Sequence, residues 1–175
     1  MTLDWELQDA VWEEFELLAG ADDDSVPTGE NRVETELVEN YHGRGAAREF
    51  EFESDEPASM AGGEDRGPRP LEYFLAGFAF CQQVVLAKHA LATGVELDDV
   101  NVEVEGDVDP RGVLGVGDVD PGFDGALRQV TRIESPATPR EVRRLVETAE
   151  DHCPAHASLA VPVERDLYLN GEQID

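Results

Sequence analysis

The most apolar stretch of the chain runs over residues 71–93, where charge occurs only at Glu72 and Lys88. About 22 residues at a rise of about 1.5 Å each predict one helix about 33 Å long. Gly94 follows as a C-terminal stop. Glu72, Gln82, Gln83, Lys88 and His89 interrupt the run, so it reads as a central core helix and not as a membrane span. Its near-uniform apolar character predicts burial on most faces. Residues 3–19 predict a second, amphipathic helix, with Leu7, Val11, Phe15 and Leu18 on one face and Trp5 and Trp12 docking it. Gly20 and the polar run at 21–25, which includes Asp23 and Asp24, end it.

Alternating patterns predict strands at 32–40 (Val33, Thr35, Leu37) and 47–54 (Phe50, Phe52), with His42-Gly43-Arg44-Gly45 as the turn between them. Residues 57–70 are rich in Gly and Pro and read as a loop. Further strands are expected at 99–107 and 123–134. Thr138-Pro139-Arg140-Glu141 then combines an N-cap threonine, a proline at the first helical position and a capping-box glutamate. Val142, Leu145, Val146, Ala149 and Cys153 mark one face of that helix, and Pro154 ends or bends it. A last strand is expected near 160–169. Helix, two strands, long helix, two strands, helix, strand is an α+β order, not the alternation of a doubly wound parallel sheet.

Charge narrows the function classes. Forty Asp and Glu face thirteen Lys and Arg, a formal net charge of −27, and Lys88 is the only lysine. Such a surface repels itself in dilute buffer. At molar salt the Debye length falls to about 3 Å and the repulsion is screened, so the composition suggests a salt-loaded cytoplasm such as that of a halophile. Nucleic-acid binding is excluded, because phosphate contacts need clustered basic residues. The first ten residues carry three acids, no basic residue and no apolar h-region, so no secretory signal is visible and a cytoplasmic protein is expected.

The two cysteines, Cys81 and Cys153, form neither a disulfide scaffold nor a zinc spacing. In a reducing compartment they are either inert core thiols or a working pair. The run Pro70-Leu71-Glu72-Tyr73-Phe74-Leu75-Ala76-Gly77-Phe78-Ala79-Phe80-Cys81 resembles the central-helix motif of the OsmC/Ohr family. His152-Cys153-Pro154-Ala155 resembles the family's second mark, a cysteine followed by proline after a helix. The resemblance covers roughly residues 32–170 and leaves 1–30 as an N-terminal helical extension and linker before an OsmC-like domain at 31–175. It implies antiparallel sheets packed on the long central helix, in an intertwined homodimer with each active site built from both chains. It also implies reduction of organic hydroperoxides without a bound cofactor, recycled by an external dithiol or lipoyl reductant. Cys81 would attack the peroxide and become a sulfenic acid, and Cys153 would resolve it to a disulfide. An arginine of the N-terminal strand region would assist the thiolate, held by a glutamate near the start of the central helix.

Arg44 matches that arginine best, with Arg48 as the other candidate, and Glu72 is the candidate glutamate. Glu72 stands nine residues before Cys81 where the peroxidase subgroup is expected to have ten, which on a regular helix turns it about 180° away. Cys153, at the end of a helix, is expected to meet the negative end of the dipole, which raises a thiol pKa and suits a resolving thiol. Phe74 and Phe78 share the Cys81 face and suit an apolar pocket or the core. Lys88 is expected to snorkel to solvent. His152 and His156 flank Cys153 and either tune it or, with it, bind a metal. Two rival readings remain: a non-enzymatic OsmC-like stress protein, and a dimeric module that holds a small apolar ligand.

Overall fold

The computed structural model describes residues 3–22, 25–26, 28–159 and 162–175. Asp23, Asp24 and the first two positions of the expected last strand lie outside the described residues. The chain divides into two units, one formed by 21–76 and the other by 1–20 together with 77–175.

In the first unit, β1 (Glu34–Glu39), β2 (His42–Ala47) and β3 (Phe50–Ser54) form an antiparallel meander. The segment around Arg44, expected to be a turn, is the middle strand. The chain reverses instead at Asn40-Tyr41 and Arg48-Glu49, where Asn40 (φ 49°) and Arg48 (φ 56°) adopt the left-handed conformation that tight hairpins require. Gly45 serves packing here: a Cβ on it would come within 2.3 Å of the Phe52 ring, which lies across it from the neighbouring strand. The Gly/Pro loop that follows is organised by Asp55, which is buried and accepts N–H groups from Glu56 (2.8 Å), Glu64 (3.2 Å) and Arg66 (3.4 Å). Burial opposes its charge, but these donors and the Arg66 guanidinium outweigh that and lower its pKa.

The long helix α2 (Pro70–Thr93) begins as expected and continues into the second unit. There β4 (Asp99–Glu105), β5 (Leu127–Glu134), β6 (Val163–Leu169) and the short β7 (Glu172–Gln173) form a sheet in that order. All pairs are antiparallel except β5–β6, which are parallel. Such a pair needs a long crossover, and α4 (Pro139–Asp151) supplies it. Its start is the capping box read from the sequence: Thr138 Oγ1 accepts the Glu141 N–H, and Glu141 accepts the Thr138 N–H at 2.8 Å. Leu86 and Ala90 of α2, Val142, Leu145, Val146 and Ala149 of α4, and Ile133, Leu167 and Leu169 of the sheet make one core. The architecture is an α+β fold of two sheets and a long central helix.

Three features depart from the sequence pattern. Two short helices, α3 (Pro110–Val113) and α5 (Pro154–Ala157), stand in stretches read as loop or helix end. Within the single chain α2 buries mainly one stripe, Phe78, Gln82, Leu86 and Ala90 with Leu91, and not most of its faces. Phe74, Phe80 and Val84 remain largely exposed.

The N-terminal helix α1 (Gln8–Ala19), preceded by a 3-10 turn at Trp5–Leu7, buries none of its residues fully. Trp12 is half exposed. Contact comes from Leu3 against the core, the Phe15 ring edge on His89 (5.5 Å between centroids) and Glu14 paired with Lys88 at 3.7 Å. Lys88 thus reaches α1. His89 also lies 5.3 Å from His152, at the end of α4.

Burial, then the neighbouring His152, lower the His89 pKa. A histidine with a lowered folded pKa favours the folded state above its ordinary value, about 6.5. That advantage is lost as pH falls from there through the lowered value. Acidification also relieves the self-repulsion of a chain carrying −27, so the test is a difference. Between pH 8 and pH 5, the thermal midpoint of His89→Gln is expected to gain on that of the parent. Parallel curves would assign no role to His89.

Candidate active site

Cys81 lies near the middle of α2, half-buried, and Cys153 is fully buried at the junction of α4 and α5. Both are free thiols, and they approach each other to 3.4 Å. A disulfide requires about 2.05 Å between sulfurs, so a small adjustment within this contact would close the bond.

The local setting of Cys153 differs from the one its sequence position implies. The regular part of α4 ends at His152, and Cys153 has extended geometry (φ −82°, ψ 115°) as the N-cap of α5. Pro154 explains this, since it disfavours helical geometry in the residue before it and occupies a first helical position well. Cys153 thus stands between the end of α4 and the start of a single-turn helix, and its thiol makes no side-chain capping hydrogen bond. Its pKa is raised, chiefly by burial. The N–H groups of His156 and Ala155 pull the other way, and the hydrogen-bonding interaction with Cys81 raises it further. Cys153 thus keeps its proton, while Cys81 is the more accessible sulfur.

Around the pair lies a set of polar side chains that the sequence did not single out as a group. Gln82, the residue after Cys81, is buried, and its amide meets His156 Nδ1 at 3.4 Å. The same imidazole stands edge-on to Phe78, 5.9 Å between centroids. Phe78 is therefore a buried partner of His156, while Phe74 remains half exposed. Glu150 pairs with Arg165 at 2.5 Å and receives a longer bond, 3.5 Å, from buried Gln129, which also donates to Thr131 at 3.1 Å. Burial raises the Glu150 pKa against the opposing pull of Arg165 and then of His156. His152 is engaged elsewhere, its Nδ1 2.8 Å from the Thr148 carbonyl and its ring against His89.

In the other unit, the remaining candidates each have a partner. Arg44 on β2 lies opposite Glu53 on β3 and bonds it at 3.4 Å. Glu53 also stands 3.8 Å from the buried His42. Arg48 stacks on the Phe50 ring, 5.0 Å to its centroid. Glu72 accepts the Arg69 main-chain N–H at 2.9 Å and the Arg69 guanidinium at 2.9 and 3.0 Å. This is a capping interaction at the third position of α2, and it lowers the Glu72 pKa. Arg44 and Glu72 are thus engaged by Glu53 and Arg69 respectively. The alternation that places Arg44 opposite Glu53 is visible in the sequence only once β2 is known to be a strand.

The model of the OsmC-like protein family matches residues 62–166, which include α2, both cysteines, β4, β5 and the start of β6. The chain belongs to the OsmC-like family. Among solved structures, an OsmC-like protein from Mycoplasma pneumoniae is similar, with a TM-score of 0.70 and 20% identity over 82% of this chain and 99% of that one. The organic hydroperoxide resistance protein OsmC of Legionella pneumophila gives 0.59 and 19%, over 82% and 98%. OhrB of Bacillus subtilis, an organic hydroperoxide resistance protein, gives 0.56 and 22%, over 81% and 98%. At these identities the likeness establishes the fold. Among the curated proteins none matches. In this OsmC-like chain the two cysteines, 72 positions apart in sequence (153 − 81), are adjacent because α4 shares one core with α2 and Cys153 follows directly on its end.

Proposed function

We propose that this OsmC-like protein is a thiol-dependent peroxidase that reduces organic hydroperoxides through Cys81 and Cys153. The observation that carries the reading is their approach to 3.4 Å, one thiol half-buried and the other enclosed and protonated. The Cys81 thiolate attacks the terminal peroxide oxygen, the O–O bond breaks, and the alkoxide leaves and takes a proton as the alcohol. Cys81 is left as a sulfenic acid. Cys153 then attacks that sulfur, water departs, and a disulfide forms. An external dithiol or lipoyl group returns both thiols by exchange.

The cation that a mid-helix thiolate needs is assigned to Arg44, whose planar guanidinium can hold a carboxylate and a second anion together. Glu53 is the carboxylate that holds it in this chain. The proposed assembly is a homodimer, which would cover the exposed Phe74, Phe80 and Val84 of α2 and the wholly exposed strand β1. A cytoplasm of high salt fits the charge of −27.

One observation favours a second reading, a non-enzymatic OsmC-like protein that binds a small ligand: Glu72 is committed to Arg69. Turnover separates the two. With cumene hydroperoxide and dihydrolipoamide in molar salt, the peroxidase consumes many equivalents of peroxide per chain. No consumption with lipoyl or simple dithiol reductants would leave the second reading.

A further inference from the structure

We propose that His156 is the proton acceptor of the resolving step, with Gln82 holding its ring. This rests on the peroxidase reading and adds a residue to it. His156 is the third residue after Cys153, in the single turn of α5 that Cys153 caps. Its ring reaches α2 on either side of Cys81: it meets Phe78, one turn earlier, and Gln82, the next residue. One imidazole thus touches the helix that carries the attacked sulfur and belongs to the turn that carries the attacking one.

The resolving step needs such a group. Cys153 is enclosed and keeps its proton, yet only a thiolate attacks a sulfenic acid efficiently. When Cys153 attacks, its proton passes to His156 and its sulfur bonds to Cys81 Sγ. The S–O bond of the sulfenic acid breaks, and the departing hydroxide takes that proton from His156 to become water. Cys–SOH and HS–Cys become a disulfide and water, with no further oxidant.

Gln82 suits a partner that changes charge. With its carbonyl turned to the ring, Gln82 accepts the Nδ1–H of the neutral and of the protonated imidazole alike, which leaves Nε2 to take the Cys153 proton. The ring therefore keeps a hydrogen bond in both states, in a part-buried contact where losing one has a cost. The charged groups around it are the Glu150 carboxylate of α4, with Arg165 of β6 bound to it and Asp151 beside it, and the two thiols. Glu150 supplies the balancing negative charge when the ring is protonated.

The test is rapid mixing with a single equivalent of cumene hydroperoxide, following Cys81 sulfenate by dimedone trapping and disulfide by mass spectrometry. His156→Gln is expected to form the sulfenate at the parent rate. It should close the disulfide at least about a hundredfold more slowly, the low end of what a general base contributes. The acid limb of the pH profile for closure should lose one proton of dependence, and added imidazole should restore part of the rate. A merely structural role would not respond to imidazole. Closure at the parent rate with an unchanged pH profile overturns the inference and leaves the peroxidase intact. Absence of both sulfenate and disulfide in the parent overturns the peroxidase reading itself, and the inference with it. If His156→Gln does not fold, Gln82→Met carries the test: slower closure supports the role of the pair, and unchanged closure overturns it.

Discussion

Serine at position 81 is expected to stop hydroperoxide consumption, lowering the rate by at least about a thousandfold, the scale on which removal of a catalytic nucleophile acts. The reason is the difference between sulfur and oxygen as nucleophiles. A thiolate forms within reach of neutral pH and attacks a peroxide oxygen, whereas an alcohol stays protonated and is a weak nucleophile. The substitution changes little else. Cys81 is half-buried on a helix whose core contacts are made by Phe78, Leu86 and Ala90, so the fold should survive. Peroxide consumption followed beside circular dichroism checks both halves. A Cys81→Ser protein that is folded and still consumes peroxide would remove Cys81 from the chemistry.

Serine at position 153 should act differently. The first equivalent of peroxide is still reduced, because Cys81 is intact, but the sulfenate finds no thiol to close on. Turnover is expected to stop after one equivalent per chain, and excess peroxide then oxidises Cys81 to sulfinic acid at the expense of a second equivalent. Intact-mass analysis would show one added oxygen, then two. Cys153 is fully buried, and a buried hydroxyl is costly unless bonded. Here it occupies an N-cap beside the N–H groups of Ala155 and His156, a position serine favours, so loss of fold is not expected. Sustained turnover by Cys153→Ser with a dithiol present would show that Cys81 is recycled without an internal resolver.

The sequence made some of these elements plain and concealed others for identifiable reasons. The apolar run at 71–93 and the Thr138–Glu141 capping box are local signals, and the structure realises both. The strand that carries Arg44 was concealed because Gly43 and Gly45 imitate a turn. The Phe52 ring that requires Gly45 to lack a side chain is seven residues away in sequence (52 − 45) and adjacent only across the β2–β3 ladder. Glu72 can be read from sequence as a catalytic carboxylate or as a capping one, and the capping contact to Arg69 becomes visible only in three dimensions. At Cys153 the argument from a helix end predicted a raised pKa, and the pKa is raised, but by burial and by Cys81. Pro154 starts a new turn there, so Cys153 is the N-cap of α5 and not the last residue of α4. The Gln82–His156 contact joins residues 74 apart in sequence, and no periodicity announces it.

The redox pairing of Cys81 with Cys153 is the centre of the account, and peptide mapping tests it most directly. The reduced protein in molar salt is treated with a single equivalent of an alkyl hydroperoxide per chain, quenched with an alkylating agent and digested. The account predicts one disulfide joining the Cys81 and Cys153 peptides, with one equivalent of alcohol formed. Recovery of both peptides fully alkylated, with the hydroperoxide unconsumed, would contradict it.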